Sequence, residues 1–348
     1  MSTLLENLEK LETAKTDIAE ALNNKGVKIT DEDGFEDFAN YINNLTVLAD
    51  VDIPGIVAIG NSEYISYTTG DGVWKNRKSY SGDDVIYEKA CYVNGRYIAV
   101  GANGSLCYSI DGVNWTHLTK IPDVDKLYSI AYGNGVYVCV GNSQKIYYSS
   151  DGEHWTLSNL VHEDSLDLAL YDVCYGGNRF MCVGQRRSYY SIDGVNWTRV
   201  FISADYADSY WRSIRYGNDK FITWGHSTGS TYYSDVSYMD KDGTDWTKPN
   251  LDYKSNNYQV NCFDGEKFIM QGGTNSSNNL RYSYDGKTWT YTGKSPSGWI
   301  RDMCYFDGLY YTNTGHVSSD LSNWTLLAGL TGTQYYFTKG LITTKVER

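Results

Sequence analysis

The stretch that decides the fold is Tyr108-Ser109-Ile110-Asp111-Gly112-Val113-Asn114-Trp115-Thr116. Close copies of it occupy residues 148–156, 190–198 and 282–290, and looser copies end at Trp74, Trp246 and Trp324. Each copy predicts two strands joined by a tight Asp-Gly turn. The aspartate accepts hydrogen bonds from the backbone amides of the turn, and the glycine supplies the positive φ that the turn requires. The tryptophan then packs over the hairpin as an apolar anchor. The chain therefore contains seven related hairpins.

The tryptophans of these copies recur at a period near forty residues. They stand at positions 74, 115, 155, 197, 246, 289 and 324. One repeat contains four strand-like runs, at residues 127–132, 136–141, 145–150 and 154–157. A period of about forty with four strands per repeat is typical of a β-propeller. We therefore expect a mainly β fold, a seven-bladed β-propeller over residues 56–348.

The two ends of this region predict how the ring closes. The first repeat, residues 56–78, has the patterns of strands two to four but lacks that of strand one. The missing pattern occurs at residues 334–340. We expect this C-terminal strand to complete the first blade, because closure removes the open sheet edges.

Residues 1–45 predict a small α-helical hairpin appended to the propeller, and residues 46–55 a linker. The apolar residues that define the two helices, at 3–24 and 34–45, are Leu4, Leu8, Leu11, Ile18 and Leu22, then Phe35, Phe38 and Ile42. Two helices this short are not stable alone. They must pack on each other, on sister chains in a homo-oligomer, or on a larger assembly; a helical cap on the neighbouring domain is the alternative.

Charge and hydropathy exclude several classes of protein. The formal net charge of −12 divides into −7 for residues 1–50 and −5 for the other 298 residues. An acidic chain of this kind is not expected to bind nucleic acid. No run of about 18 apolar residues exists, so we expect no membrane insertion. The N-terminus lacks the basic start and apolar block of a signal peptide.

The seven cysteines and five histidines indicate packing rather than metal chemistry. Cys91, Cys174, Cys262 and Cys304 share a strand position that Ala131 fills in another repeat. A position that accepts either residue requires a small buried side chain. The histidines are scattered without metal-ligand spacing. We expect neither a metal nor another cofactor.

Two tryptophans outside the hairpins are candidates for ligand binding. In a propeller, the loops between strands two and three and those between blades lie opposite the Asp-Gly hairpins. Trp211 and Trp299 precede the first strands of their repeats and so lie near that rim. Exposed aromatic rings there stack on the apolar faces of sugars. The alternative is that both tryptophans plug blade junctions.

Arginines next to these tryptophans are candidates for anion binding. Arg212 and Arg301 share a strand-one position with Tyr128 and Tyr171. Two arginines at one rim can hold a carboxylate or phosphate in bidentate fashion.

The alternative for both arginines is structural pairing with inter-blade acids such as Asp172 and Asp302. The loops on the same face are polar and differ between repeats, and one of them carries Arg186 and Arg187. Loops of this kind commonly carry recognition.

The hairpin repeat resembles the Asp-box of sialidase-like propellers, Ser-x-Asp-x-Gly-x-x-Trp, although it lacks the residue between Asp and Gly. The resemblance implies a fold element away from the ligand face. Its residues here are Asp111 and Trp115, Asp151 and Trp155, Asp193 and Trp197, Asp285 and Trp289, and Asp320 and Trp324. A sialidase needs three converging arginines, an acid and a tyrosine nucleophile, and we find no third arginine. We therefore assign no catalytic residues.

The segment 11–45 resembles a module at the start of tail-fibre and baseplate-associated proteins of phages and prophages of Gram-positive bacteria. The matching residues are 16–22, 24–27, 33–35 and Tyr41-Ile42. The resemblance implies attachment to other tail or baseplate proteins through residues 1–45. It also implies synthesis in a bacterial cytoplasm and assembly into a virion or a tailocin, a phage-tail-like particle.

The leading hypothesis is a non-enzymatic fibre or baseplate component. Its propeller would act as a receptor-binding module for a bacterial surface glycan or protein. One alternative is a purely structural virion protein whose propeller mediates contacts within the particle. Another is a glycan-cleaving hydrolase.

Overall fold

The fold is described by a computed structural model over part of the chain. The described residues are 56–58, 64–68, 75–78, 86–93, 95–160, 168–200, 209–227, 234–249, 251, 259–272, 279–294, 296, 300, 302–306, 308–327 and 341–343. The expected helical appendage (1–45), the linker (46–55) and Trp74 lie outside them.

The described strands form seven antiparallel sheets, numbered here in chain order. Sheet 1 combines β1 (Ile56–Ala58), β2 (Tyr64–Thr68) and β3 (Lys75–Lys78) with β27 (Leu341–Thr343). Sheet 2 consists of β4 (Tyr87–Val93), β5 (Arg96–Gly101), β6 (Leu106–Ser109) and β7 (Thr116–His117). Sheet 3 consists of β8 (Leu127–Gly133), β9 (Val136–Gly141), β10 (Ile146–Ser149) and β11 (Thr156–Leu157), with a 3₁₀ turn at Asn142–Gln144.

The remaining sheets follow the same up-and-down order. Sheet 4 consists of β12 (Leu170–Gly176), β13 (Arg179–Gly184), β14 (Ser188–Ser191) and β15 (Thr198–Val200). Sheet 5 has three strands, β16 (Ser209–Gly217), β17 (Lys220–Ser227) and β18 (Ser234–Asp240). Sheet 6 consists of β19 (Gln259–Phe263), β20 (Phe268–Gly272), β21 (Asn279–Ser283) and β22 (Thr290–Lys294). Sheet 7 consists of β23 (Met303–Phe306), β24 (Leu309–Thr312), β25 (His316–Ser318) and β26 (Thr325–Leu326). The expected mainly β propeller is confirmed, and sheets 2 to 7 are blades built from consecutive strands.

The Asp-Gly hairpins have the expected turn chemistry. In sheet 4 the carboxylate of Asp193 accepts a hydrogen bond from the backbone N–H of Val195 at 2.9 Å and one from the Ser191 hydroxyl at 2.8 Å. Gly194 has φ 76° and donates its N–H to the same serine. The indole N–H of Trp197 closes the turn on the Gly194 carbonyl at 3.1 Å. The aspartates at 111, 151, 285 and 320 make equivalent bonds to their turns.

The apolar core lies between neighbouring sheets. Between sheets 3 and 4, Val138 and Val140 of β9 pack with Phe180 and Cys182 of β13, and Trp197 covers the cluster. The tryptophans at 115, 155, 246, 289 and 324 pack on equivalent clusters. Their predicted anchoring role is thus confirmed. All seven cysteines are free and five are fully buried, as expected for packing residues.

Within the described residues, sheet 5 has no fourth strand because of Pro249. In sheets 2 and 3 the residue three places after the hairpin tryptophan donates its N–H to the third strand: Leu118 to Leu106 and Ser158 to Ile146. Pro249 occupies this place after Trp246 and has no N–H to donate. Pairing with β18 therefore stops at the single bridge between Tyr238 and Thr247.

The first and last described strands meet in sheet 1, and the last strand lies at a position different from the one expected. The terminal strand is β27, which pairs with β1 in the register Val57 with Ile342. The expected segment, residues 334–340, lies outside the described residues. The first strands β4, β8, β12, β16, β19 and β23 contact one another in chain order, and β27 contacts both β23 and β4. β27 therefore occupies the place of a first strand in sheet 1.

Candidate ligand-binding face

A β-bulge recurs at the same place in four neighbouring first strands. It falls at Glu88 in β4, Tyr128 in β8, Tyr171 in β12 and Arg212 in β16, where one residue is skipped in the pairing with the next strand. A bulge leaves its residue out of the ladder and re-aims the side chain. The shared position predicted for Tyr128, Tyr171 and Arg212 is thus confirmed by their common register.

The bulged side chains and their neighbours form a continuous series across sheets 2 to 5. We call it the inter-blade row, and its members are Glu88, Lys126, Tyr128, Tyr171, Arg212, Tyr210 and His226. Lys126 forms an ion pair with Glu88 at 2.7 Å, and its ammonium lies 5.2 Å from the ring centre of Tyr128. The rings of Tyr128 and Tyr171 meet edge-on with centres 5.2 Å apart. The row lies at the start of the first strands, at the end of the sheets opposite the Asp-Gly hairpins.

Arg212 stands between two aromatic rings. Its guanidinium carbon lies 4.4 Å from the ring centre of Tyr171 and 5.6 Å from that of Tyr210. Tyr210 in turn stacks on His226, its cross-strand partner, with ring centres 5.4 Å apart and planes 6° from parallel. Stacking of this kind fixes a guanidinium while its N–H groups remain at the edge of the plane.

The environment of the inter-blade row shifts the pKa values of two of its tyrosines and of its histidine. Burial raises the pKa of Tyr128, and the nearby charge of Glu88 raises it further. Burial also raises the pKa of Tyr171. Burial lowers the pKa of His226, and the positive charge of Arg212 lowers it further. Near neutral pH the histidine is therefore uncharged, and the positive charges of the row are those of Lys126 and Arg212.

A buried ionic network lies one residue further along the first strands. Asp172, 1% exposed, accepts hydrogen bonds from Ser129 at 2.6 Å and Ser213 at 3.0 Å. It also pairs with Lys89 and, at 3.0 Å, with Arg215. The network thereby joins strands of sheets 2, 3, 4 and 5.

The structural pairing expected for Arg212 is wrong. The cation that bridges Asp172 and Asp302 is Arg215, which reaches Asp302 at 3.3 Å. The bulge turns Arg212 away from the acids and onto Tyr171, so its cation has an aromatic partner instead. Arg301 lies outside the described residues.

Trp211 is a packing residue, so its expected role as an exposed sugar platform is wrong. Its side chain is fully buried with Met181, Val183 and Phe221 at the junction of sheets 4 and 5. Successive side chains of a strand point to opposite sides, so Trp211 lies in the core while Arg212, the next residue, joins the row. Trp299 lies outside the described residues.

Arg186 and Arg187 lie in the loop between β13 and β14, on the same face as the row. Arg187 donates a hydrogen bond to the carbonyl of Arg186 at 3.0 Å. The preceding residue, Gln185, bridges to Tyr210 and so links this loop to the row. The binding role predicted for both arginines stays a prediction.

Sequence reasoning did not select several of the participants. Lys126 and Tyr210 share the position two residues before the bulge with Ile86 and Ala169, and His226 shares its position with Ala102, Asn142 and Gln185, so the residue types differ too much between repeats to indicate a role. Arg215 stands where other repeats have Cys91, Ala131 and Cys174. An arginine in a position of small residues was the available sign of the ionic network.

Two absences apply to the described residues alone. Among them, no group of three or more His, Cys, Asp or Glu side chains is placed to hold a metal ion. Within the same part of the chain, no helix has the length and apolarity to cross a membrane.

Comparison with known proteins supports the fold. No protein-family description matches the chain, and no curated protein matches it. Similar solved structures include YCF48 bound to D1 peptide, 16% identical with a TM-score of 0.53, covering 69% of this chain and 81% of that one. The WD40 repeats of RRP9 are 9% identical with a TM-score of 0.53, covering 74% and 82%. A chain of the mitotic checkpoint complex is 9% identical with a TM-score of 0.54, covering 78% and 84%. At these identities the likeness shows a β-propeller alone.

Proposed function

We propose that this chain is a non-enzymatic binding protein that holds its ligand on the face carrying the inter-blade row. The observation that carries the proposal is the contact of Tyr128, Tyr171 and Arg212 at one bulge position of adjacent sheets. Ring faces beside a fixed cation suit recognition of an extended ligand.

The propellers of similar fold support a binding role in general terms. One was solved with a bound peptide and another within a multi-protein complex. For this chain we propose a bacterial surface glycan or protein as the receptor.

The proposed setting is a phage tail or a tailocin. It is supported by the resemblance of residues 11–45 to tail-fibre and baseplate modules, with residues 1–45 attaching the chain to other tail proteins. The protein would be made in the bacterial cytoplasm and assembled into the particle.

The proposed ring has seven blades, with sheet 1 as the blade that closes it. The support comes from the seven sheets and from the contacts of β27 with β23 and β4. A ring of this kind would place the inter-blade row around one rim.

The test is binding of the full chain to cell-wall fractions from a panel of Gram-positive bacteria. Tyr171→Ala should weaken binding at least tenfold, because it removes the ring between Tyr128 and Arg212. Tyr284→Ala is the matched control, since that tyrosine is 51% exposed in a hairpin on the opposite face. Melting curves establish that both variants are folded.

Equal binding by the wild type and Tyr171→Ala, or a larger loss in Tyr284→Ala, would place the ligand elsewhere. Release of reducing sugar from any wall fraction by the wild type would contradict the non-enzymatic role.

A further inference from the structure

Among the described residues, three arginines are stacked on two aromatic rings each, and two of them have an evident structural use. Arg96 lies over Tyr108 and Tyr137, at 5.5 and 5.7 Å. Its N–H groups reach the Glu153 carboxylate at 3.3 Å and the carbonyl of Asp151. Arg96 therefore ties sheet 2 to the hairpin of sheet 3.

Arg179 repeats this arrangement between sheets 4 and 5, two junctions further along the chain. It lies over Tyr190 and Phe221, at 5.1 and 5.3 Å. It donates to the carbonyls of Gly243 at 2.8 Å and Asp240 at 3.3 Å. Both arginines thus donate hydrogen bonds to turns of the next sheet.

Arg212 is stacked in the same way, on Tyr171 and Tyr210, but at the opposite face. Among the described residues, no carboxylate forms an ion pair with it and no backbone carbonyl accepts its N–H groups. Two acids of the neighbouring first strands are engaged elsewhere, Asp172 with Lys89 and Arg215, and Glu88 with Lys126. Asp205 and Asp208 lie outside the described residues. Apart from a hydrogen bond to the Tyr171 side chain, the N–H groups of the Arg212 guanidinium are therefore not engaged by a carboxylate or carbonyl of the described residues.

We propose that Arg212 binds an oxyanion, a carboxylate or a phosphate, on an acidic surface glycan, while Tyr128 packs against the adjoining sugar and Tyr171, only 8% exposed, holds the guanidinium in place. The stacked fork offers two parallel N–H donors, which match the geometry of both anions. The ring of Tyr128 suits the CH groups of a pyranose. The inference rests on the proposed function and adds the chemical class of its ligand.

The experiment measures binding of the full chain to four soluble polymers at about 0.1 M salt, where exposed charges are largely screened. The probes are polyglycerol phosphate, polygalacturonate, neutral dextran and polyglutamate. We expect either polyglycerol phosphate or polygalacturonate to bind at least tenfold more tightly than dextran and polyglutamate. Which of the two binds distinguishes phosphate from carboxylate.

Variants locate the anion. Arg212→Gln should weaken that binding at least tenfold. Arg212→Lys should keep only part of the wild-type affinity, because lysine has the charge but not the planar pair of N–H donors. Arg199→Gln makes the same change of net charge on β15, the outer strand of sheet 4, and should leave binding unchanged.

Two results would overturn the inference while leaving the proposed function standing. One is wall binding that depends on Tyr171 but not on Arg212. The other is Arg212-dependent binding of polyglutamate at least as tight as that of the acidic glycans, which would identify an acidic peptide as the ligand. Failure to bind any wall fraction or any polymer would overturn the inference and the proposed function together.

Discussion

In the hairpins at residues 112, 152, 194 and 286 a glycine follows the aspartate, for two separable reasons, whereas in sheet 7 Leu321 takes this place at φ 63°. At Gly194 the φ of 76° disfavours a side chain, and an added Cβ would lie 2.9 Å from Cγ2 of Val138 in the preceding sheet. At Gly135, in the turn between β8 and β9, φ is 77° but nothing lies within 4 Å of the added carbon. The hairpins are therefore packing elements as well as turns.

We expect Gly194→Ala to lower the free energy of unfolding by about 2–3 kcal/mol, from roughly 1–2 kcal/mol of backbone strain plus the contact with Val138. Gly135→Ala is the control for strain alone and should cost about 1–2 kcal/mol. Urea unfolding measures both. Equal losses in the two variants would contradict the packing of the hairpin on the preceding sheet.

The hairpin aspartates make stability depend on acid. Partial burial of Asp193 opposes ionisation, but the N–H groups of Asn196, then that of Val195, outweigh it and lower its pKa from 3.8 to about 2. The aspartates at 111, 151, 285 and 320 have lowered pKa values as well, through equivalent hydrogen bonds.

A carboxyl whose pKa is lower in the folded state stabilises the fold above its unfolded pKa. That contribution is lost as the pH falls through the folded value. We expect the melting temperature to fall between about pH 4 and pH 2. In Asp193→Asn the melting temperature should be lower at pH 6 and should fall less over that acid interval. An identical acid dependence in the variant would contradict the role of this carboxylate.

At the residue scale, the repeats predict which residues occupy equivalent strand positions, but they do not predict what each side chain contacts. The shared place of Tyr128, Tyr171 and Arg212 followed from alignment of the repeats. The opposite orientations of Trp211 and Arg212 follow from the alternation of side chains along a strand, but the repeats did not show which of the two faces the core. Stacking of Arg212 on Tyr171 depends on two sheets coming together, which a one-dimensional pattern does not contain.

At the scale of elements, the first strands are joined by charge as well as by apolar packing. Asp172 lies at the centre of this link, since its carboxylate contacts Ser129 and Lys89 from one side and Ser213 and Arg215 from the other. Removing one partner of a buried ionic group leaves the others uncompensated.

We expect Asp172→Asn to lower the free energy of unfolding by about 3 kcal/mol, because Lys89 and Arg215 would keep their charges while losing the shared carboxylate. Asp240→Asn is the control: this carboxylate pairs with Lys220 but its side chain is 67% exposed, so the loss should be below about 1 kcal/mol. Chemical denaturation measures both variants. A loss of similar size in the two would show that the network does not hold the sheets together.

The sequence predicted which strands exist, but it did not always predict where they begin and end. The four strands of sheet 3 match the expected runs to within two residues. We did not expect sheet 5 to have only three described strands. The sign was Pro249, which stands at the position where the equivalent residues of sheets 2 and 3 donate a backbone N–H. The position of the terminal strand also differed, because Leu341–Thr343 carries no repeat signature.

At the scale of the whole molecule, the first and last described strands hold sheet 1 together. Deletion of residues 341–348 removes β27 and exposes the edge of β1. Since β27 also contacts β23 and β4, the loss should spread to both neighbouring sheets. We expect a cooperative unfolding transition at a melting temperature lowered by more than 5 °C. Deletion of residues 344–348 alone is the control, and unchanged melting of the longer deletion would contradict closure by β27.

The central claim is that the ligand lies on the face of the inter-blade row, and side-chain footprinting with hydroxyl radicals tests it most directly. The full chain is oxidised with and without wall fragments that it binds. We predict that the ligand protects Tyr128 and Tyr210, and leaves Tyr284 and Tyr291, exposed by 51% and 53%, as reactive as before. Protection of Tyr284 and Tyr291 with unchanged oxidation of Tyr128 and Tyr210 would contradict it.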